Sequence, residues 1–230
     1  MASRPVFVAL GQNSQLVREV LVDFSWSPGF APVQKKKNIS ALHLAAQNRG
    51  LAPLLEVSTK SEEKIGQRLS AFNLKISTEV GEISIESAYQ GSKVFRDGGP
   101  FKDIYRLDSR SAKQDERIKN SGPLVGFDYF GQKWPLIPKT AFYDWLYLSA
   151  LESHQDYLKR LFEYCGFTDI EFNPEKSINC QARTCALLVS LLKLDALSVA
   201  LRSQSDFIAM VASDSFNQSH SADLKQRVLL

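Results

Sequence analysis

Hydrophobic and polar residues alternate along the first part of the chain in a way that predicts β-strands. Arg4 to Leu10 is a short run rich in apolar residues that favour strands, and Gly11 closes it. From Val20 to Trp26 every second residue is apolar, which is the period of a strand with one buried face. The residues Ser27 to Gly29 predict a break after it.

The apolar spacing then changes to that of helices and short strands. Ile39, Leu42 and Ala46 predict a short helix that Asn38 caps. Further on, Thr59 and Glu62 have the spacing of a capping box for a second short helix. Three runs predict further strands: Leu54 to Thr59, Phe72 to Ser77, and Glu82 to Ile85.

Helical patterns dominate the rest of the chain. The highly charged residues 102–123 predict an exposed helix or loop. A long helix is predicted from Thr140 to Gly166, and a buried helix from Ala182 to Leu194, with a short strand at Ile170 to Phe172 between them. The pattern therefore predicts a single α+β domain over residues 1–203, mainly helical with a small β-sheet. We expect residues 204–230 to form a mobile polar tail.

Composition describes a globular and nearly neutral protein. The 230 residues include 28 basic and 25 acidic ones, a formal net charge of +3. With 44% hydrophobic and 23% charged residues, the composition excludes a largely disordered chain. The small net charge gives little sign of a dedicated nucleic-acid binder.

The three cysteines and the hydropathy pattern predict the cellular compartment of the protein. An odd number of cysteines (Cys165, Cys180 and Cys185) cannot form a closed disulfide framework. The first residues lack the apolar core of a signal peptide, and no stretch approaches the roughly 18 apolar residues of a membrane span. We therefore expect a cytoplasmic protein without a membrane partner.

Familiar metal and cofactor motifs are missing from the sequence. Gly98 and Gly99 lack the context of a phosphate-binding loop, and Cys180 and Cys185 lack a second cysteine pair for zinc. We therefore expect no metal and no cofactor.

The segment from Ile85 to Asp97 carries the clearest candidate chemistry. On a helix predicted over Ile85 to Arg96, Glu86, Gln90 and Lys93 share one face. The pattern by itself favours a row of polar side chains on a solvent-exposed face of the helix. It also fits the wall of a cleft, where burial lowers the pKa of a lysine and a nearby glutamate moves protons.

Several segments resemble the NADAR superfamily. Its signature is matched by LSAFN (69–73), SIE (84–86) and YQGSKVF (89–95), and by Trp134 ahead of a helix. The resemblance extends to the branch of NADAR antitoxins found beside DarT-type toxins, through LEVSTKS (55–61), GGPFKDIY (98–105), WPLIPKTAFYDWLYLSAL (134–151) and FTDIEFNPEKSINCQA (167–182).

The resemblance implies an N-glycosidase that removes ADP-ribose from guanine bases in DNA and so reverses the modification made by a DarT-type toxin. It implies ADP-ribosylated DNA as the substrate and the toxin as the functional partner. Glu86 and Lys93 match the catalytic positions. Substrate-binding roles are implied for Asn73, Gln90, Phe95, Trp134, Asp144, Glu171 and Asn179.

The resemblance leaves two mechanisms open. Lys93 attacks the anomeric carbon of an opened ribose to form an imine while Glu86 moves protons, or Glu86 activates water while Lys93 orients the substrate. The chain also departs from many superfamily members, because no Trp-Gly pair follows Glu171 and the accompanying aspartate is missing. Asp144 and Asp169 are candidates to replace it, and each also fits a structural role, within a helix or at a turn.

The basic run of Lys35, Lys36 and Lys37 predicts a solvated loop, and it is also a candidate contact for DNA phosphates. Trp26 and Phe30 lie close to it in the sequence. They either pack in the core or a loop, or they stack on bases of a nucleic acid. Two other functions fit the sequence: a non-catalytic immunity module that binds the toxin or the lesion, and a glycosidase of small ribosylamines.

Overall fold

The computed structural model describes residues 1–12, 15–175 and 177–213. The chain divides into two compact units, each built from separate parts of the sequence. The first contains Met1–Ser70 and Glu152–Ala200, and the second contains Ala71–Leu151 and the residues from Leu201 onward.

Nine strands are found in the described residues: β1 (Ala2–Gln12), β2 (Gln15–Phe24), β3 (Leu54–Glu56), β4 (Lys75–Thr78), β5 (Gly81–Ser84), β6 (Lys93–Phe95), β7 (Leu124–Tyr129), β8 (Gln132–Trp134) and β9 (Gly166–Thr168). The α-helices are α1 (Pro32–Gln47), α2 (Lys64–Arg68), α3 (Ile85–Gly91), α4 (Ser109–Gln114), α5 (Glu116–Asn120), α6 (Ala141–Ser149), α7 (Gln155–Leu158), α8 (Gln181–Lys193), α9 (Leu197–Leu201) and α10 (Gln204–Ser213). Short 3-10 helices cover Lys102–Arg106, Glu152–His154 and Lys159–Glu163.

The predicted mixture of helices and strands is confirmed, but the sheet content is larger than expected. Where the sequence predicted one small sheet, the described residues form three, with strand orders β2-β1-β9-β3, β4-β5 and β6-β7-β8. The extra strands are only three to six residues long, so their side-chain alternation is too brief to recognise in the sequence.

The long hairpin of β1 and β2 forms the centre of the first unit. Its strands are antiparallel, with Val6 opposite Val20 and Arg4 opposite Val22. Alternate residues of the hairpin, including Val6, pack against the apolar face of α1, where Leu42 is fully buried. Helix α8 packs against the same two strands, so the predicted burial of this helix is confirmed.

Helix α1 begins six residues before the predicted cap. Pro32 occupies its first turn, where a proline needs no intrahelical donor and has a suitable φ. Lys35–Lys37 therefore lie on the helix and not in a loop. Asn38 is buried inside it: its Oδ1 accepts from the Ser27 backbone N–H (2.7 Å), and its Nδ2 donates to the Ser27 carbonyl (2.9 Å). Asn38 thus anchors the preceding turn and caps no helix.

Two other helix predictions are wrong in their limits. Helix α2 begins after Glu63 without a side-chain cap, so Thr59 does not form a capping box. The long helix predicted from Thr140 ends at Ser149, and short helices follow it. Leu158 and Leu161 are nevertheless buried, as the apolar spacing required. The strand expected at Ile170 to Phe172 lies at β9 instead, where it pairs with β1 and β3.

Helix α3 in the second unit follows the β4-β5 hairpin directly. Ser84 caps it, because its Oγ accepts from the Ser87 backbone N–H (3.0 Å). The helix ends at Gly91, five residues before the predicted end, and the chain continues as β6. Lys93 pairs with Phe127 of β7 there, so Lys93 lies on a strand and not on the predicted helical face.

Gly91 is required by the packing against Tyr105. A Cβ atom at Gly91 would lie 2.5 Å from the Tyr105 ring, closer than any real contact. The Tyr105 hydroxyl lies 2.9 Å from the Ser92 hydroxyl, which donates to the Ala88 carbonyl (2.7 Å). The close approach of this tyrosine therefore explains the glycine of the YQGSKVF segment.

Aromatic rings from α3, β7, β8 and α6 form the core of the second unit. Phe142 lies at the centre, with ring centroids 4.6 Å from Phe127, 5.5 Å from Trp134 and 6.1 Å from Tyr89. Phe207 of α10 is fully buried and lies 6.4 Å from Trp134.

The segment predicted as a tail thus begins with the helix α10. Residues 214–230 lie outside the described residues, and their mobility and the domain limit at 203 stay predictions. In the described part of the chain, no helix is long and apolar enough to cross a membrane. All three cysteines are free thiols.

Candidate active site

The first turn of α3 holds the candidate acid–base residue. Glu86 is 7% exposed, and its backbone N–H donates to the Ala71 carbonyl (3.3 Å). Gln90 follows one turn later and donates from Nε2 to Glu86 Oε1 (2.9 Å). Glu86 and Gln90 thus share one face of the helix, as the sequence predicted.

Gln90 also presents an acceptor to the site. The side chain is 7% exposed, and its Oε1 receives no hydrogen bond from the described residues. An unpaired buried carbonyl costs free energy, so a ligand that donates a hydrogen bond there is favoured. Glu86 Oε1 is held by Gln90.

Lys93 reaches the neighbourhood of Glu86 from β6. Its side chain is half-buried, and its Nζ lies 4.9 Å from the centre of the Tyr89 ring. Burial lowers the pKa of Lys93 to about 8, although the Glu86 carboxylate acts to raise it. Lys113 adds a smaller lowering through its positive charge. Near neutral pH a larger fraction of this amine is therefore unprotonated than in an ordinary lysine.

This arrangement brings together an amine and a carboxylate. A lysine amine with a lowered pKa attacks carbonyl-like carbon, and a neighbouring carboxylate accepts or returns the proton. The site also has a polar amide for orientation and an aromatic ring beside the amine. Sequence reasoning did not identify Tyr89 or Lys113 as neighbours of Lys93.

The other predicted site residues of the second unit differ in exposure. Asn73 is exposed in the loop before β4. Phe95 and Trp134 are buried, at 4% and 2% exposure. Trp134 packs in the aromatic core, yet its Nε1 finds no acceptor among the described residues. Asp144 is 1% exposed in the first turn of α6. Their binding roles stay predictions.

Glu171 and Asn179 belong to the first unit. Glu171 is exposed in a turn after β9, and Asn179 is half-buried shortly before α8. Asp169 accepts from the backbone N–H groups of Glu171 (3.0 Å) and Phe172 (3.2 Å). Asp169 therefore caps this turn, the structural role that its position already suggested. The binding roles of Glu171 and Asn179 stay predictions.

A buried carboxyl pair in the first unit escaped the sequence reasoning. Glu56 accepts from the Ile170 backbone N–H (2.9 Å) and from the Ser58 hydroxyl (2.7 Å), and lies 2.8 Å from the Thr168 hydroxyl. Burial, followed by the charge of Asp169, raises the pKa of Glu56, and burial likewise raises that of Asp169. Both side chains are enclosed by the fold, so their contacts indicate a structural role.

The basic run forms part of an exposed aromatic and cationic surface in the first unit. Phe30 is 97% exposed after the turn at Gly29. Trp26 is half-buried, with Arg4 Cζ 5.4 Å and Lys35 Nζ 6.0 Å from its ring centre. Lys36 and Lys37 are exposed beside them, and no carboxylate among the described residues pairs with the three lysines. We call Arg4, Trp26, Phe30 and Lys35–Lys37 the basic aromatic surface.

No group of three or more His, Cys, Asp or Glu side chains in the described residues is arranged to hold a metal ion. An open cleft of the first unit, about 430 Å³ in volume, is lined by residues such as Arg68, Arg160 and Tyr164 and contains none of the predicted site residues.

Comparison with known proteins addresses the family directly. No curated protein matches the chain. The sequence model of the DarT1-associated NADAR antitoxins matches residues 2–221, nearly the whole chain. The resemblance predicted from the sequence is confirmed. The chain belongs to the family of DarT1-associated NADAR antitoxins.

Proposed function

We propose that this antitoxin is an N-glycosidase that hydrolyses the bond between ADP-ribose and a guanine amino group in DNA. The proposal rests chiefly on one observation: the Lys93 amine, with a pKa lowered by burial, lies in the field of the Glu86 carboxylate. This pair supplies a nucleophile and a proton carrier without a metal. Family membership makes a DarT1-type toxin the functional partner.

The reaction consumes one water molecule. The bond between the anomeric carbon and the guanine nitrogen breaks, the water oxygen joins the anomeric carbon, and a proton restores the guanine amino group. Glu86 is the group that transfers protons to and from the reacting atoms. Gln90 holds Glu86 Oε1 in place, and we assign the proton transfer to Oε2.

Two routes lead to the same products. In the first, neutral Lys93 adds to the anomeric carbon of the opened ribose, guanine leaves, and water hydrolyses the resulting imine to free ADP-ribose and the amine. In the second, Glu86 removes a proton from water, which attacks the anomeric carbon directly while Lys93 binds the ribose. The lowered pKa of Lys93 supports the first route, because a permanently charged amine cannot form an imine.

The basic aromatic surface supports DNA as the substrate. Exposed lysines neutralise phosphates, and an exposed aromatic ring stacks on any base. Phe30 and Lys35–Lys37 are the residues that we propose to contact the strand. These contacts do not read a sequence, which suits an enzyme that recognises the modified base through its ADP-ribose.

The test is the release of ADP-ribose from a modified oligonucleotide in excess over the protein. We expect multiple turnovers for the wild-type chain, and a loss of at least about 100-fold in Glu86→Gln and Lys93→Ala. Glu116→Gln and Lys119→Ala change exposed residues of the same unit and should retain full activity. Stoichiometric binding without turnover by the folded wild-type chain would reject the proposal in favour of an immunity module.

The pH profile and chemical trapping distinguish the two routes. Since Lys93 must be neutral to form an imine, kcat/KM should rise with pH and level off above about 8. Borohydride added during turnover should reduce the imine and attach ADP-ribose to Lys93, as detected by mass spectrometry. Full activity without any trapped product in wild type, together with activity in Lys93→Ala, would establish direct attack by water.

A further inference from the structure

We propose that Lys113 binds the diphosphate of the ADP-ribosyl group and orients the ribose toward Lys93. The inference rests on the proposed function and assigns a substrate contact to a residue outside the short sequence segments in which the family resemblance was recognised. It concerns one rim of the site, formed by α4 and the loop before β4.

Helix α4 is fixed to the same backbone that holds Glu86. The Ser109 hydroxyl donates to the Phe72 carbonyl (3.0 Å) and lies 2.8 Å from the hydroxyl of Ser84, the cap of α3. The neighbouring Ala71 carbonyl accepts from the Glu86 backbone N–H. Residues of this loop thus contact both α4 and the first turn of α3.

Lys113 lies one helical turn after Ser109, on the same face of α4. Its side chain is exposed, and its Nζ lies 5.3 Å from the centre of the Phe72 ring, which is itself 36% exposed. No carboxylate in the described part of the chain forms an ion pair with Lys113. The result is a positioned cation whose charge is not neutralised.

Lys113 also acts on the reactive amine. Its charge lowers the pKa of Lys93, after the larger effect of burial and against the attraction of Glu86. In ADP-ribose the diphosphate is attached to the same ribose that carries the reacting anomeric carbon. An anion held by Lys113 therefore brings that carbon toward Lys93.

The test compares Lys113→Gln, Lys113→Glu and Lys113→Arg with the control Lys119→Gln, an exposed lysine on α5. Calorimetry with ADP-ribose, pyrophosphate and adenosine measures binding. Loss of a charge-assisted contact should weaken ADP-ribose and pyrophosphate about 10- to 100-fold in Lys113→Gln, and more in Lys113→Glu. Adenosine affinity should not change, and Lys113→Arg should retain binding.

A second readout concerns the pKa of Lys93, measured from the pH dependence of its acylation by acetic anhydride with mass spectrometry. The pKa should rise in Lys113→Gln, rise further in Lys113→Glu, and stay unchanged in Lys113→Arg and Lys119→Gln. A merely structural role of Lys113 would not produce this order.

Unchanged pyrophosphate affinity in Lys113→Gln would overturn the inference, even if the enzyme cleaves modified DNA. Conversely, anion binding that depends on Lys113 in a chain that never releases ADP-ribose would sustain the anion site and reject the proposed function. The two failures are therefore distinguishable.

Discussion

The side chain of Lys93 shows how neighbouring groups compete to set one pKa. Removal from water disfavours the charged amine, the Glu86 carboxylate favours it, and burial has the larger effect. The Tyr89 ring, 4.9 Å from Nζ, provides a weaker attraction that keeps the amine in place. The sequence offered the residue types, but the balance between them depends on how far each is buried.

The protonation state of Glu56 depends on a hydroxyl group that it shares with another residue. The Thr168 hydroxyl lies within hydrogen-bond distance of both Glu56 and His43. Thr168 Oγ1 lies 2.8 Å from Glu56 Oε2 and 2.8 Å from His43 Nε2. Its single proton can go to only one of them. Burial lowers the pKa of His43 to about 4, so the ring is neutral near pH 7, and Nε2 accepts in the tautomer that carries its proton on Nδ1. With this tautomer and with Glu56 protonated, the chain runs from Glu56 through Thr168 to His43, and each proton has one acceptor.

This protonation pattern predicts how stability depends on pH. A carboxyl group whose pKa is raised by folding binds its proton more tightly in the folded state, so stability falls as pH rises between the unfolded and folded pKa values. Glu56→Gln cannot lose this proton. Its free energy of unfolding, relative to wild type, should increase by more than about 1 kcal/mol between pH 5 and pH 9. Urea denaturation at both pH values measures the difference.

Glu62→Gln is the control for this prediction, because Glu62 is exposed and its substitution should leave the pH dependence unchanged. Parallel stability curves for wild type and Glu56→Gln would show that the Glu56 carboxyl group is ionised throughout the range.

The boundary between α3 and β6 shows where reasoning from local patterns succeeds and fails for whole elements. The helix was predicted to begin at Ile85, and it does. Its end was placed too late, because Lys93 to Phe95 can adopt either a helix or a strand. Hydrogen bonding to β7, which lies about thirty residues further along the chain, selects the strand.

The attachment of α4 to α3 can be tested through Ser109. Ser109→Ala removes the hydrogen bond to the Phe72 carbonyl and the contact with Ser84, and should lower the free energy of unfolding by about 1–2 kcal/mol. If α4 carries a substrate-binding cation, the affinity for ADP-ribose should fall as well.

Ser111→Ala provides a matched control on the same helix. Ser111 donates to Asp108 on the exposed side of α4 (2.6 Å), so its loss should cost about 0.5 kcal/mol or less. Thermal denaturation of both variants measures how much stability each one loses. Equal effects would show that Ser109 does not anchor the helix.

At the scale of the whole molecule, the net charge is only +3, but acidic and basic residues are unevenly distributed along the chain. Between Asp23 and Glu56 the chain has no acidic residue, while Lys35–Lys37 and Arg49 lie in that interval. Folding places the lysines on α1 beside Arg4, Trp26 and the exposed ring of Phe30. A local basic surface of this kind binds a polyanion even when the total charge is nearly balanced.

This surface predicts the strength and salt dependence of binding to single-stranded DNA. Replacing Lys35, Lys36 and Lys37 by Gln should weaken binding and reduce the slope of log affinity against log salt by about 2. Phe30→Ala should cost about 1–3 kcal/mol through lost stacking. Fluorescence anisotropy with an unmodified oligonucleotide measures both effects independently of catalysis.

The control variants for DNA binding match the test variants in the charge that is removed or in the loss of an exposed apolar side chain. Glutamine at Lys75, Lys119 and Lys133, exposed lysines of the second unit, changes the net charge by the same amount and should alter binding much less. Leu44→Ala removes an apolar side chain that is 59% exposed on α1 and should have no effect. Equal weakening by both lysine triplets would show that binding depends on total charge and not on this surface.

The sequence by itself determined the family, the mixture of helices and strands, the start of α3 and the buried helix α8, because each depends on residues close together in the chain. The tertiary structure decided which groups act on one another. Strand pairing with β7 moved Lys93 off the helix, the packing of α4 brought the charge of Lys113 to act on it, and burial set its pKa. Such effects depend on distance and exposure in space, and those quantities exist only once the chain has folded.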